Sequence, residues 1–281
     1  MIASAGLIGD PVGHSVSPAL HNAAFSYHGL PDRYVLWHTP AAELAQRVEA
    51  LRQPGMRGAN VTLPHKTAVL PLLDVIDPVA EAVGAVNTLV HGPDDRIYGS
   101  NTDVPGFLRA LRVVDFQPAG RAVVVLGAGG AARAVIYGLL HAGIHALTIV
   151  NRTVERAETL LADGLATIDD DPHLLALAPD DPELGRVIGE ADALINATSV
   201  GLDGRSLPIA EELITPDLLV VDLIYHHTPL LQAAAQRGAH TQNGVEMLVQ
   251  QGALSFEAWT GLAAPVDVMR AAVLQALKER T

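Results

Sequence analysis

RAVVVLGAGGAARAVIYGLLHAG, residues 121–143, is the stretch that decides the fold. It opens with an unbroken apolar run of the length of a buried strand. It breaks at a glycine-rich turn and resumes with apolar residues at helical spacing. In the turn, Gly127, Gly129 and Ala132 stand in G-x-G-x-x-A spacing. The first glycine permits a tight turn, and the second lets a pyrophosphate approach the backbone. Gly127, Ala128, Gly129, Gly130 and Ala131 lead into a helix whose N-terminus favours negative charge. A glycine turn that serves packing alone is the plain alternative. The strand before it and the helix after it favour a dinucleotide site.

The next strand, ALTIVNR, follows a turn at Gly143. A carboxylate at its end would bind the ribose of NAD. Here the sequence is NRTVERA: Asn151 replaces the acid, and Arg152 and Arg156 add two cations. Four residues apart at a helix start, the guanidinium groups are expected to converge on one side. Their forked donors suit a 2′-phosphate, which predicts NADP(H) rather than NAD. A solvated arginine pair is the plain alternative.

Strand-like and helix-like segments alternate outward in both directions, the pattern of an α/β protein with parallel strands. SAGLIG reads as a first strand, residues 18–28 as a helix, and MRGANV, ADALINAT and LLVVDLIY as further strands. VEMLVQQGALSFEAW and VDVMRAAVLQALKER read as amphipathic helices. DDDPHLLALAPDDPE, residues 169–183, is acidic and proline-rich and reads as a solvated loop or short surface helix. The uncharged stretch 134–151 is long enough to raise the membrane question, but its glycines and histidines divide it into helix, turn and strand.

The chain has 281 residues, room for two modest domains or one large one. Hydrophobic residues make up 49% and charged residues 17%, enough for a substantial core and against disorder. A net charge of −13 argues against a nucleic-acid partner, so any anionic ligand is held by local groups. The absence of cysteine excludes disulfides, thiol nucleophiles and cysteine-ligated metals. The N-terminus lacks the basic region of a signal peptide, and a cytoplasmic, non-membrane protein is expected. The only adjacent histidine pair, His226-His227, would point in opposite directions if extended, and no required metal is expected.

GHSVSPALHN, ANVTLPHK, GAVNTL, SNTDVPGF, GAGGAARA, NRTVERA, NATSVG, DLIY and GVEMLVQQG occur in that order over nearly the whole chain. Together they resemble the shikimate dehydrogenases. The resemblance implies two domains. Residues 1–103 with 245–281 would form an α/β substrate-binding catalytic domain, and residues 104–244 a doubly wound Rossmann NADP-binding domain, the last helices returning to the first. It implies reversible NADPH-dependent reduction of 3-dehydroshikimate to shikimate in aromatic amino-acid biosynthesis, with hydride transfer at C3. Lys66 and Asp103 match the catalytic pair. Ser15 and Ser17 match serines that hold the substrate carboxylate. Thr62, Asn87, Asp103, Tyr225 and Gln251 match groups that bind ring hydroxyls or carboxylate, and Asn60 shares their motif. Thr153, Thr198, Leu223 and Gly244 join the cofactor residues. Ser17 also reads as a helix N-cap before an N1 proline.

Eighteen residues are Lys or Arg, yet only Lys66 and Lys278 are lysine. Oxidising an alcohol sends a hydride to the nicotinamide and a proton to a group able to return it. Arginine does not deprotonate in a protein, whereas lysine does when its surroundings permit. Compositional bias at an ordinary helix start is the plain alternative for Lys66. The sequence leaves open whether Lys66 shuttles the proton or stays a permanent cation. It departs from the family pattern after Tyr225, where HHTPLL lacks the usual Asn-Pro, and at Glu246, where a small residue is frequent. A quinate/shikimate dehydrogenase, a methylene-tetrahydrofolate dehydrogenase and a non-catalytic NADPH-binding sensor are the competing readings. Oligomeric state is open, a homodimer being one option.

Overall fold

A computed structural model of the chain describes residues 2–280. The element order is β1 (Ile2–Gly9), α1 (Ser17–Tyr27), β2 (Asp32–His38), α2 (Leu44–Glu49), β3 (Gly58–Val61), β4 (Val75–Ile76), α3 (Pro78–Val83), β5 (Thr88–His91), β6 (Ile97–Ser100) and α4 (Asp103–Val113). It continues β7 (Ala122–Leu126), α5 (Gly130–His141), β8 (Ala146–Val150), α6 (Val154–Leu165), β9 (His173–Leu177), α7 (Leu184–Gly189) and β10 (Ala193–Asn196). The chain ends with β11 (Leu219–Asp222), α8 (Pro229–Gln236), β12 (His240–Asn243), α9 (Val245–Thr260) and α10 (Val266–Lys278). The fold is α/β with two separate sheets. Residues 1–106 with 248–281 form one compact unit and residues 107–247 the other. The divisions therefore fall within α4 and α9, three residues past the expected boundaries in each case.

The second unit has strand order β12-β11-β10-β7-β8-β9, all parallel, the doubly wound arrangement. Alternation along the strands explains why it is covered on both faces. Val123, Val125, Ala193, Ile195, Leu219 and Val221 belong to one apolar cluster, whereas Val124, Leu126, Leu194 and Val220 belong to another. Successive side chains point to opposite faces, so helices on each side are needed to bury both rows. The stretch 134–151 divides as expected into α5, a turn with Gly143 at φ +75°, and β8. Among the described residues, no helix is long and apolar enough to cross a membrane.

Two expectations are corrected. The acidic segment 169–183 holds strand β9, His173–Leu177, paired in parallel with β8. Its flanking acids and prolines hide the short apolar core HLLAL, which a sheet edge accommodates half-buried. In the first unit the strands are not all parallel. Its order is β2-β1-β3-β5-β6-β4, and β5 runs antiparallel to both β3 and β6. A short turn at residues 92–96 joins β5 to β6, and a connection this short permits only antiparallel neighbours. One side of this sheet packs Ile8, Val61, Leu89 and Ile97 against Leu44, Val48 and Ala80.

Candidate active site

Lys66 lies in the turn after β3, not at a helix start. The turn is pinned on both sides of it. The Lys66 carbonyl accepts from the Val86 N–H at 2.8 Å. The buried His65 ring places Nε2 2.6 Å from the Thr39 carbonyl; a carbonyl only accepts, so Nε2 carries the proton. Asp103 opens α4, and Asn101 caps that helix, its Oδ1 accepting from the N–H groups of Asp103 at 3.0 Å and Val104 at 3.2 Å. These two anchored segments bring Lys66 Nζ to 2.6 Å from Asp103 Oδ2. The side chains are 18% and 11% exposed, so the pair is largely withdrawn from solvent but still reachable.

Asn87 and Gln251 adjoin this pair through Thr102. Asn87 Oδ1 accepts from the Thr102 N–H at 2.7 Å, and Asn87 Nδ2 donates to Thr102 Oγ1 at 3.0 Å and to Gln251 Oε1 at 3.4 Å. Gln251 Nε2 donates once, to the Leu248 carbonyl at 2.8 Å. Thr62 is half-buried, four positions before Lys66 on the same turn, and its hydroxyl has no partner among the described residues. Ser15 Oγ donates to Ser17 Oγ at 3.0 Å and accepts from the Ser17 N–H at 3.1 Å. Arg280 holds the Ser15 loop by donating to the carbonyls of His14 and Ser15. Val16, not Ser17, is the N-cap of α1, and Ser17 is its first helical residue. Ser15 takes the capping part because its hydroxyl satisfies an N–H of the first turn.

Asn60 is committed to its neighbours at both ends. Its Oδ1 accepts from the Tyr34 hydroxyl at 2.9 Å, and its Nδ2 faces Ser255 Oγ at 2.9 Å, Thr88 Oγ1 at 3.2 Å and the Asn87 carbonyl at 3.2 Å. At 5% exposure, with both ends engaged, it is part of the wall behind the site. Thr88, Thr102, Ser255 and Asn101 are the residues that the sequence reading missed. Three of them adjoin predicted residues in the motifs 84–89 and 100–107. Ser255 carried no signal beyond lying one helical turn after Gln251.

In the second unit, Gly127 follows β7 at φ +102°, and a Cβ there would meet Thr198 Cγ2 at 2.8 Å. Gly129 differs: it N-caps α5 at φ −93°, and a Cβ there would point into open space. No side chain caps this helix, and Gly129, Gly130 and Ala131 are exposed while Ala128 is half-buried. The backbone donors of the first turn thus face outward. Asn151 follows β8, and its Nδ2 donates to the Thr153 carbonyl at 2.8 Å. Thr153 is the N-cap of α6, so Arg152 lies outside the helix and does not share the expected helical spacing with Arg156. Both arginines are exposed at this helix start, and neither guanidinium has a partner among the described residues.

Two buried polar residues organise the strand ends beside the glycine turn. Asn196 Oδ1 accepts from Thr198 Oγ1 at 2.6 Å, and Asn196 Nδ2 donates to Asp222 Oδ1 at 3.1 Å. Asp222 also accepts from Thr228 Oγ1 at 2.7 Å and from the Ile224 N–H at 3.1 Å. Burial pushes the Asp222 carboxyl above its ordinary range, and these hydrogen bonds oppose the shift. Leu223 and half-buried Tyr225 follow β11, and Asn243 Nδ2 donates to the Tyr225 carbonyl at 3.4 Å. Gly244 packs against this segment so closely that a Cβ would lie 2.1 Å from the Leu223 carbonyl oxygen. His226 and His227 lie in an exposed bend. Among the described residues, no three His, Cys, Asp or Glu side chains are placed to hold a metal.

A doubly wound unit with cations after its second strand, and a lysine–carboxylate pair among neutral amides and hydroxyls, define an oxidoreductase that uses a nicotinamide nucleotide. Three family profiles cover most of the chain. That of the shikimate dehydrogenase substrate binding domain matches residues 7–89, that of shikimate/quinate 5-dehydrogenase residues 110–202, and that of the shikimate 5′-dehydrogenase C-terminal domain residues 244–274. The chain is 46% identical over 280 residues to a shikimate dehydrogenase (NADP(+)) of Methanopyrus kandleri, covering 97% of this chain and 95% of that relative. It is 44% identical to one of Symbiobacterium thermophilum, covering 97% and 94%. The crystal structure of the Thermus thermophilus shikimate 5-dehydrogenase in complex with NADP(H) and shikimate superposes with a TM-score of 0.87 at 38% identity, covering 98% and 100%. The chain belongs to the shikimate dehydrogenase family.

Proposed function

We propose that the chain catalyses the reversible NADPH-dependent reduction of 3-dehydroshikimate to shikimate, in the cytoplasmic synthesis of aromatic amino acids. The observation that carries this reading is the Lys66–Asp103 pair at 2.6 Å, backed by Asn87 and Gln251. The pair keeps spare capacity: Asp103 Oδ1 and two of the three Nζ hydrogens have no partner among the described residues. The Thr62 hydroxyl and the second Nε2 hydrogen of Gln251 are also unengaged. A ring bearing several hydroxyls needs such a mixture of donors and acceptors, so that none stays unpaired on burial.

In the oxidation direction, Lys66 as its neutral amine takes the one hydroxyl proton, with Asp103 holding the ammonium that results; in reduction that ammonium returns the proton to the carbonyl oxygen. When bound, the nicotinamide cofactor supplies the hydride acceptor or donor. Asn87, Thr62 and Gln251 orient the ring, and Ser15 and Ser17 receive the carboxylate beside the start of α1. The family resemblance adds Tyr225 to the substrate ligands. We assign substrate binding to the first unit and cofactor binding to the second.

The residues present fit NADP(H). The space over Gly129 and the uncapped first turn of α5 suit a pyrophosphate, and the unpaired Arg152 and Arg156 suit a 2′-phosphate. Asn151, Thr153, Thr198, Leu223 and Gly244 shape the rest of that site. The substrate is a small molecule, and a net charge of −13 argues against a nucleic-acid partner. A second reading is a quinate/shikimate dehydrogenase, because the profile matched over 110–202 spans both activities. Initial rates with shikimate and quinate, each with NADP⁺ and NAD⁺, decide between them. Turnover confined to shikimate with NADP⁺ supports the first reading, and comparable use of quinate or NAD⁺ the second. Silence with all four pairs rejects both.

A further inference from the structure

We propose that Thr88, Thr102 and Ser255 are positioning residues: three buried hydroxyls that form a hydrogen-bond relay from the Asn87 amide to the Gln251 backbone, holding the Asn87 amide toward the ring hydroxyls of the substrate. The inference rests on reading Asn87 and Gln251 as substrate ligands. Thr88 and Ser255 are wholly buried and Thr102 is 7% exposed.

The direction of the relay follows from its two ends. Asn87 Oδ1 accepts from the Thr102 N–H, a group that can only donate, so Asn87 Nδ2 is the atom facing Thr102 Oγ1 at 3.0 Å. Thr102 therefore accepts there. At the other end Ser255 Oγ lies 3.1 Å from the Gln251 carbonyl oxygen, which only accepts, so the Ser255 proton is committed to it. The 2.8 Å contact between Thr88 Oγ1 and Ser255 Oγ must then be donated by Thr88. With its proton spent, Thr88 can only accept across the 3.1 Å contact with Thr102, whose hydroxyl also lies 3.2 Å from Asn87 Oδ1 and 3.3 Å from Ser255 Oγ. The chain runs Asn87 to Thr102 to Thr88 to Ser255 to the Gln251 backbone. Asn60 Nδ2 fills the remaining lone pairs, facing Ser255 Oγ at 2.9 Å and Thr88 Oγ1 at 3.2 Å.

Two consequences follow for the site. The relay joins β5, the start of α4 and helix α9, and Asn87, Asp103 and Gln251 lie within or directly beside these three elements. It also fixes which end of the Asn87 amide is presented. A reversed amide would set Nδ2 against the Thr102 N–H, two donors face to face. A ligand that reads hydroxyl stereochemistry needs such fixed polarity, and a carboxamide free to flip cannot supply it.

Thr88→Val tests this. It keeps the side-chain shape, removes the middle hydroxyl and with it the contacts to Thr102 Oγ1 and Ser255 Oγ. Thr88→Ser restores the hydroxyl. The expected result is a rise in KM for shikimate of about tenfold, the size of one lost neutral hydrogen bond in a buried network. KM for NADP⁺ stays within about twofold, and Thr88→Ser returns most of the loss. Leu51→Ala, a core change in the same unit, lowers the melting temperature without moving KM and so separates positioning from mere destabilisation. If Thr88→Val does not fold, Ser255→Ala is judged by the same criteria. A wild-type KM in the valine variant, or no recovery in the serine variant, overturns the relay while the functional reading stands. A wild-type protein that does not oxidise shikimate overturns both.

Discussion

Replacing Lys66 by arginine separates the two parts that a lysine could play. The structure sets the terms. Nζ lies 2.6 Å from Asp103 Oδ2, and the carboxylate is 11% exposed. Lys66→Ala removes both the proton carrier and the counter-ion, leaving a largely buried carboxylate with one charged hydrogen bond fewer. Such a bond contributes about 1.5–3 kcal/mol. Proton transfer by a placed side chain contributes about 10²–10⁴ in rate, or about 3–5 kcal/mol of barrier. Lys66→Ala is therefore expected to lose turnover by two to four decades and to melt earlier. KM for shikimate is expected to rise by less than tenfold, because Asn87, Gln251, Thr62 and the serines remain. Lys66→Arg restores a cation beside Asp103 but cannot release a proton.

The assay is initial-rate formation of NADPH from shikimate, with thermal unfolding measured in parallel on wild type and both variants. The expected pattern is that arginine recovers much of the melting temperature but leaves turnover near the alanine level. Turnover of the arginine variant within about tenfold of wild type would refute the reasoning. A permanent positive charge would then suffice, and the rarity of lysine in this chain would carry no chemical meaning.

The other predictions concern the second unit. Gly127→Ala and Gly129→Ala are expected to fail differently: the first loses stability, since φ +102° and a 2.8 Å approach to Thr198 strain the fold. The second melts normally but binds NADP⁺ weakly, because its methyl occupies open space over the helix start; titration calorimetry beside unfolding distinguishes them. Arg152→Ser combined with Arg156→Ala should raise KM for NADP⁺ about 10–100-fold and leave KM for NAD⁺ nearly unchanged, as the loss of charge-assisted phosphate contacts demands. Asp222 has a folded pKa raised above its unfolded one by burial, so the folded state binds the extra proton between the two values. Its contribution to stability is present below the ordinary carboxylate range and is lost as pH rises through the raised value. Asp222→Asn should cancel that decline, read as the difference between wild-type and variant denaturation curves across mildly acidic pH; a constant difference refutes it.

Legibility followed burial. Strands β7 and β8 were readable because both faces are covered, which forces continuous apolar runs such as AVVVL. β9 was hidden because an edge strand needs only a short apolar core, and its acidic flanks dominate any composition-based reading. The antiparallel β5–β6 pair was hidden for a related reason: two four-residue strands around a short turn leave little periodicity to detect. Among the candidate site residues, Lys66, Asp103 and Asn87 were legible because each lies in a contiguous ordered motif. Ser255 was invisible because its partner Thr88 lies 167 residues away, and such pairing is a property of the fold.

Motif membership also fails to separate residues that touch a substrate from residues that hold those residues. Asn60, Thr62 and Lys66 share one eight-residue stretch, yet their hydrogen-bonding capacity differs sharply. Asn60 is committed at both ends to Tyr34, Ser255, Thr88 and Asn87, so engaging a ligand would break buried bonds. Thr62 and Lys66 keep donors to spare. Within this stretch, spare capacity sets Thr62 and Lys66 apart from Asn60, whose groups are spent on its neighbours. The two kinds of residue should respond differently to conservative change. An Asn60→Asp carboxylate would bury a charge and set an oxygen against the Asn87 carbonyl, harming the fold before the chemistry. Thr62→Val, which leaves every recorded hydrogen bond of the site intact, should weaken shikimate binding without lowering the melting temperature.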